Sequence, residues 1–211
     1  MAARSEPDFF SFLGLPRKLN IDAADLEQRY RALSRQFHPD YFYNATAAER
    51  RASLERSSYL NDAYRTLKSP VSRIEYLLKL EGVMGADSSA EARSGSGRAA
   101  AEGFSRAAGD AQKVPAALLE EVFALNEELD EIREARAGGA PPGDLRTRAE
   151  RARQPIEAKR EAHERDLKEL AAKWDAEDGD RAATLAALNE RILERNYITN
   201  LLAGIERELH S

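Results

Sequence analysis

The tripeptide His38-Pro39-Asp40 places a hard stop between two stretches of helical periodicity, and no other feature restricts the fold so tightly. Proline fixes its own φ and disfavours helical backbone at the residue before it, so a helix arriving from upstream must end at about Phe37. A rigid turn between two helices then holds the imidazole of His38 and the carboxylate of Asp40 outward at an exposed corner. A carboxylate presented in this way suits a charge-assisted, bidentate bond to an arginine on another molecule. The competing reading is an ordinary interhelix turn in which Asp40 caps locally, and the flanking pattern argues against it.

Upstream, Asp22 is a natural N-cap with Asp25 in the favourable first turn, and Leu26, Tyr30, Leu33 and Phe37 follow at four-three-four spacing as one apolar stripe. Gln28, Arg31 and Arg35 fall on the opposite side, with Arg29 flanking, so a cationic face leads to the His38 corner. Downstream, Thr46 and Glu49 have the spacing of a capping box that opens a second helix, whose inward face is Leu60, Ala63, Tyr64 and Leu67. A short opening helix with Phe9, Phe10, Phe12, Leu13 and Leu15 closes the small core between the two. Ser69-Pro70 starts a further helix that docks Val71, Ile74, Leu77 and Leu78, and Gly82 ends it.

Helical periodicity persists nearly everywhere and strand-favouring runs are absent, so the fold class is all-α. The sequence contains no cysteine, which removes disulfides and thiolate metal ligands and suits a reducing compartment. With three histidines at His38, His163 and His210, a histidine metal site is not expected either, nor is a resident cofactor. No apolar run approaches the roughly 20 residues that span a membrane, so a cytoplasmic protein is expected. The net charge of −5 lies wholly in the second half of the chain, which argues against nucleic-acid binding. A GxxxxGK phosphate loop and a nucleophile-and-base constellation are both missing, so the chain is not expected to be an enzyme.

Residues 86–113 are small, polar and unperiodic and read as a flexible linker between a domain at 1–85 and one at 114–211. In the latter, a helix from Val114-Pro115 to about Ala137 carries the core seam Leu118, Val122, Leu125, Leu129 and Ile132. Leu119 and Phe123 lie on a neighbouring face with Asn126, Glu127 and Asp130, and the residues alone leave open whether a partner or a third helix covers them. After Gly138-Gly139-Ala140-Pro141-Pro142-Gly143 comes a long helix with Leu145, Ala149, Ala152, Ile156, His163, Leu167, Leu170 and Trp174 on one side. Pro155 inside it predicts a kink or a short break near Gln154. Beyond a turn at Asp178-Gly179-Asp180, a last helix places Tyr197 roughly opposite Leu188, Ile192 and Leu202, as either an exposed aromatic of an apolar patch or a lone surface tyrosine. The second domain is thus a three-helix bundle.

The order of elements around His38-Pro39-Asp40 is that of a J domain. More specifically, Asp8-Phe9-Phe10-Ser11-Phe12-Leu13-Gly14-Leu15-Pro16, Phe37 to Asp40 with Phe42, Asn61 to Leu67, and Ser69-Pro70 with Arg73-Ile74-Glu75-Tyr76-Leu77-Leu78 resemble the HscB family of iron-sulfur-cluster assembly co-chaperones. The similarity extends through Val114 to Leu129 and, more loosely, to the last helix. The resemblance implies a J domain that docks on a DnaK/HscA-type ATPase chaperone through His38, Pro39, Asp40, Arg29, Arg31 and Arg35. It also implies a bundle that binds an IscU-type iron-sulfur scaffold protein through Leu119, Phe123, Glu127 and Tyr197. Glu120 and Ala124 depart from the family pattern. A J protein serving another client, and a helical protein with an incidental His-Pro-Asp, are the rival readings.

Overall fold

The computed structural model describes residues 7–42, 45–84, 118–177 and 179–210, so the expected linker at 86–113, Val114-Pro115 and Asp178 lie outside the described residues. Among the described residues there are seven α-helices, one 3-10 turn and no strand. They belong to two compact units.

The first unit combines Met1–Gly85 with Leu170–Ala186. Helix α1 (Phe9–Phe12) is capped by Asp8, whose carboxylate accepts from Ser11 N at 2.9 Å. Helix α2 (Ala23–Phe37) is capped by Asp22, and α3 (Ala47–Lys68) opens with the reciprocal Thr46–Glu49 box. Ser69 caps α4 (Pro70–Leu80), with Pro70 at its first position, where a missing N–H costs nothing. Gly82 takes φ +72° just past the C-cap Glu81. Phe10, Leu13, Leu15, Leu26, Leu60, Ala63 and Leu67 are buried together, with Tyr30, Leu33, Phe37, Tyr64 and Tyr76 packed against them. Phe9 stacks on Tyr76 at 4.4 Å between ring centroids and donates its backbone N–H to the Tyr76 hydroxyl at 2.9 Å.

Two charged side chains bracket the loop between α1 and α2. Arg73, 6% exposed, donates from Nε to the Leu67 carbonyl at 2.7 Å and from Nη1 to the Leu19 carbonyl. It therefore satisfies a carbonyl at the end of α3 that the helix itself leaves open. On the other side of the loop, Asp175 accepts from Leu19 N at 2.6 Å and Asn20 N at 2.7 Å, and the Trp174 indole donates to the Arg17 carbonyl at 3.3 Å. Arg181 lies 3.9 Å from the centroid of the Trp174 ring. These bonds explain why Leu170–Ala186 joins the first unit, where the sequence reading assigned it with everything beyond 114 to the bundle.

The second unit combines Ala86–Glu169 with Ala187–Ser211. Helix α5 (Leu119–Ala137) buries Val122, Leu125, Leu129 and Ile132, with Leu118 buried just before it. It ends in a Schellman motif: Ala140 N donates to Ala135 O and Gly139 N to Arg136 O, each at 3.0 Å, with Gly139 at φ +81°. Helix α6 (Pro142–Asp175) contributes Leu145, Ala149 and Ile156 to the same core, and α7 (Arg181–His210) contributes Ile198, Leu201, Leu202 and Ile205. Of the kink or short break expected near Gln154, the break is absent, since α6 runs through Pro155 as one helix.

Deeper in this unit His163 and Glu194 are both buried, 4% and 1% exposed, with Nδ1 and the carboxylate 3.3 Å apart. Arg191 bonds the same carboxylate and also lies 3.5 Å from Asp166. Burial drives the His163 pKa below its ordinary value; Glu194 pulls it up, but Arg191 already neutralises much of that charge.

Two measurements follow from these contacts. Asp175→Ala leaves two loop amides without their charged acceptor, and urea denaturation should show a loss of about 1.5–3 kcal/mol. His163 has a folded pKa below its unfolded one, so the unfolded chain takes up a proton that the folded chain refuses. Stability should fall as pH drops below about 6.5, the unfolded value, and His163→Gln should flatten the urea midpoint between neutral and mildly acid pH.

Candidate functional site

Helix α2 stops where Pro39 requires it. His38 is extended at φ −62°, ψ 128°, and Pro39–Phe42 then form a single 3-10 turn. Asp40 N donates to His38 Nδ1 at 3.3 Å, the Asp40 carboxylate lies 3.5 Å from the same nitrogen, and Tyr41 N donates to the His38 carbonyl at 3.1 Å. The Asp40 side chain is 86% exposed and that of His38 51%, so both are available to a partner.

Of the three arginines expected to flank this corner, Arg31 is solvent-facing and paired with Glu27 one turn back, and Arg35 is exposed with no ion pair to another described residue. Arg29 stands apart from them. Its Nε bonds Asp25 at 2.9 Å, while Nη1 donates to the Gly14 carbonyl at 2.7 Å, which ties α2 to the end of α1. Gly14 takes φ +66°, and a Cβ there would sit 3.0 Å from Arg29 Nη1, so this strut needs glycine.

The sequence reading missed two residues at the corner. Ser53 and Ser57, one turn apart on α3, both donate their hydroxyls to the Phe37 carbonyl, at 2.8 and 2.7 Å. Their four-residue spacing opposite a proline-terminated helix was the available signal. The guanidinium of Arg56 lies 5.8 Å from the centroid of the Phe37 ring.

In the second unit, Leu119, Phe123 and Glu127 share one exposed face of α5 at successive turns, and Phe123 is 70% exposed. Among the described residues no helix covers Phe123, so the third-helix alternative is not what the unit shows. Beside this face Glu121 pairs with Lys159. Tyr197 differs from expectation: it is half-buried and packs against the core of Leu118, Ile198 and Leu202, and that burial raises its phenol pKa. The helical wheel misplaced it because α7 is buried on more than one side, including Glu194 and Leu201. One turn earlier Leu193, which the sequence reading passed over, is 44% exposed; the Leu193–Tyr197 four-residue repeat was the sign of it.

Among the described residues no group of three or more His, Cys, Asp or Glu is placed to hold a metal ion, and no helix is long and apolar enough to cross a membrane.

The family model for the DnaJ domain matches residues 8–76. A co-chaperone protein HscB homolog of Cupriavidus taiwanensis is 45% identical over 83 residues, 39% of this chain and 47% of that protein. The homolog of Chromobacterium violaceum is 47% identical over 76 residues, 36% of this chain and 43% of that protein. The chain thus spans a little under half the length of the curated relatives it matches. The structure of chaperone HscB from Vibrio cholerae aligns with a TM-score of 0.63 at 25% identity, covering 95% of this chain and 96% of the other. Human co-chaperone HscB shares the fold, with a TM-score of 0.57 at 23% identity over 98% of this chain and 84% of the other. Residues 8–76 are thus a DnaJ domain by sequence, and the fold is similar to that of HscB co-chaperones along nearly the whole length of the chain.

Proposed function

We propose that this chain is a bridging co-chaperone of iron-sulfur cluster assembly. Its J domain docks on a DnaK/HscA-type ATPase chaperone and stimulates ATP hydrolysis there, while the second unit delivers an IscU-type scaffold protein. The observation that carries the reading is the exposed His38–Asp40 corner at the end of α2, within the DnaJ-domain match. Asp40 supplies a carboxylate for an arginine of the chaperone, and Arg31 and Arg35 steer an acidic surface towards it through screened charge. The chain contributes no reacting group of its own; ATP and its phosphates stay on the chaperone.

Leu119 and Phe123 support the second half of the proposal, as apolar anchors in an acidic surround with Glu127 beside them. Tyr197 enters as a half-buried residue packed on the core of the unit and not as a free aromatic. A second reading, the same J domain serving another client, is favoured by the burial of Tyr197 and by Glu120 in the anchor helix. Binding to a purified IscU-type scaffold separates the two.

Asp40→Asn keeps the shape and removes the charge, and it should abolish stimulation of the chaperone ATPase at unchanged helix content; stimulation close to that of the parent chain would remove the docking claim. Leu119→Ala with Phe123→Ala should weaken scaffold binding by more than about tenfold with little loss in urea stability, because Phe123 is largely exposed already. Leu125→Ala, in the buried seam, should instead cost about 2–5 kcal/mol of stability. If the double variant binds the scaffold as tightly as the parent, the scaffold reading fails and the other-client reading stands.

A further inference from the structure

The Asp40 side chain is largely solvent-exposed and that of His38 about half so, and packing does little to orient them; beyond the Asp40 N–His38 Nδ1 bond, their aim is set by the backbone beneath them. That backbone begins at the Phe37 carbonyl, one of the group at a helix C-terminus that find no partner inside the helix. A glycine cap would ordinarily satisfy such carbonyls, but His38-Pro39 occupies that place. Here Ser53, 2% exposed, and Ser57, half-buried, both spend their hydroxyl protons on it, at 2.8 and 2.7 Å.

We infer that Ser53 and Ser57 are positioning residues for the chaperone-docking corner, acting through the Phe37 carbonyl. The inference rests on the proposed role of that corner. Two converging donors fix the plane of the Phe37–His38 peptide relative to α3. One residue on, Pro39 has its own φ fixed by its ring, and the Tyr41 N–His38 O bond at 3.1 Å closes the turn. The orientation of Asp40 is thereby referred to α3 through a short run of fixed peptide planes. Phe37 is held from two further sides, by the Phe12 ring at 6.1 Å and by Arg56 at 5.8 Å. Losing the hydroxyls lets the Phe37–His38 peptide rotate, and the fraction of chains with a dockable corner falls; apparent affinity falls by that same fraction.

The test titrates the full-length chain into a purified DnaK-type chaperone and reads half-saturating concentration and maximal ATPase stimulation separately, with melting curves alongside. For Ser53→Ala with Ser57→Ala, the half-saturating concentration should rise about tenfold, as two neutral hydrogen bonds allow, with maximal stimulation kept. Ser57→Ala alone should show a smaller rise, and Ser57→Thr, which keeps a hydroxyl, should match the parent. A role confined to stability would lower the melting point without raising the half-saturating concentration. The inference is overturned if the double variant is folded and half-saturates like the parent while Asp40→Asn is inactive. Should the double variant fail to fold, equal half-saturation of Ser57→Ala and Ser57→Thr overturns it instead. If Asp40→Asn stimulates normally, the docking reading itself has failed and this inference falls with it.

Discussion

Pro39 disfavours helical backbone at the residue before it, and the exposed corner of the first unit descends from that restriction. It ends α2 at Phe37, opens His38 into extended backbone and leaves the Phe37 carbonyl for α3 to capture. The result is an acidic group on a short, well-fixed turn at the end of a helix that carries Arg31 and Arg35. A flexible loop with the same residues would lose more conformational entropy on docking.

The first unit also depends on a pair of charges that never meet. Arg73 and Asp175 grip opposite sides of the loop at Leu19, one through its carbonyl and the other through its amide, although 102 positions separate them in sequence. Each is bonded to backbone and not to a second side chain, so each fixes the path of the chain itself. A buried arginine in this role also closes the end of α3, where the Leu67 carbonyl would otherwise be unsatisfied. The segment Leu170–Ala186 therefore belongs to the first unit on grounds of hydrogen bonding as well as packing.

What the sequence made legible followed local rules. Asp22, Thr46 with Glu49, and Ser69 announced the starts of α2, α3 and α4, and four-three spacing placed Leu26, Leu118, Leu125 and Ile132 in their cores. Long-range polar contacts left no such trace. The bonds of Arg29 to the Gly14 carbonyl and of Asp175 to Leu19 each join elements whose meeting no periodicity encodes. Tyr197 shows the limit of a helical wheel, which gives the angle between residues on one helix and not how many neighbours surround it. The buried Glu194 was invisible for the same reason, since a glutamate on a helix reads as solvated unless its arginine and histidine neighbours are known to be close.

The account's central claim is that one chain joins chaperone stimulation to scaffold delivery. The direct test is complementation: chaperone ATP hydrolysis is measured with scaffold present, using an equimolar mixture of the Asp40→Asn chain and the Leu119→Ala/Phe123→Ala chain. Bridging requires both docking surfaces on the same molecule. The mixture should therefore lack the extra stimulation that scaffold gives with the parent chain, even though each variant keeps one binding activity. Full recovery of that extra stimulation by the mixture would contradict the account.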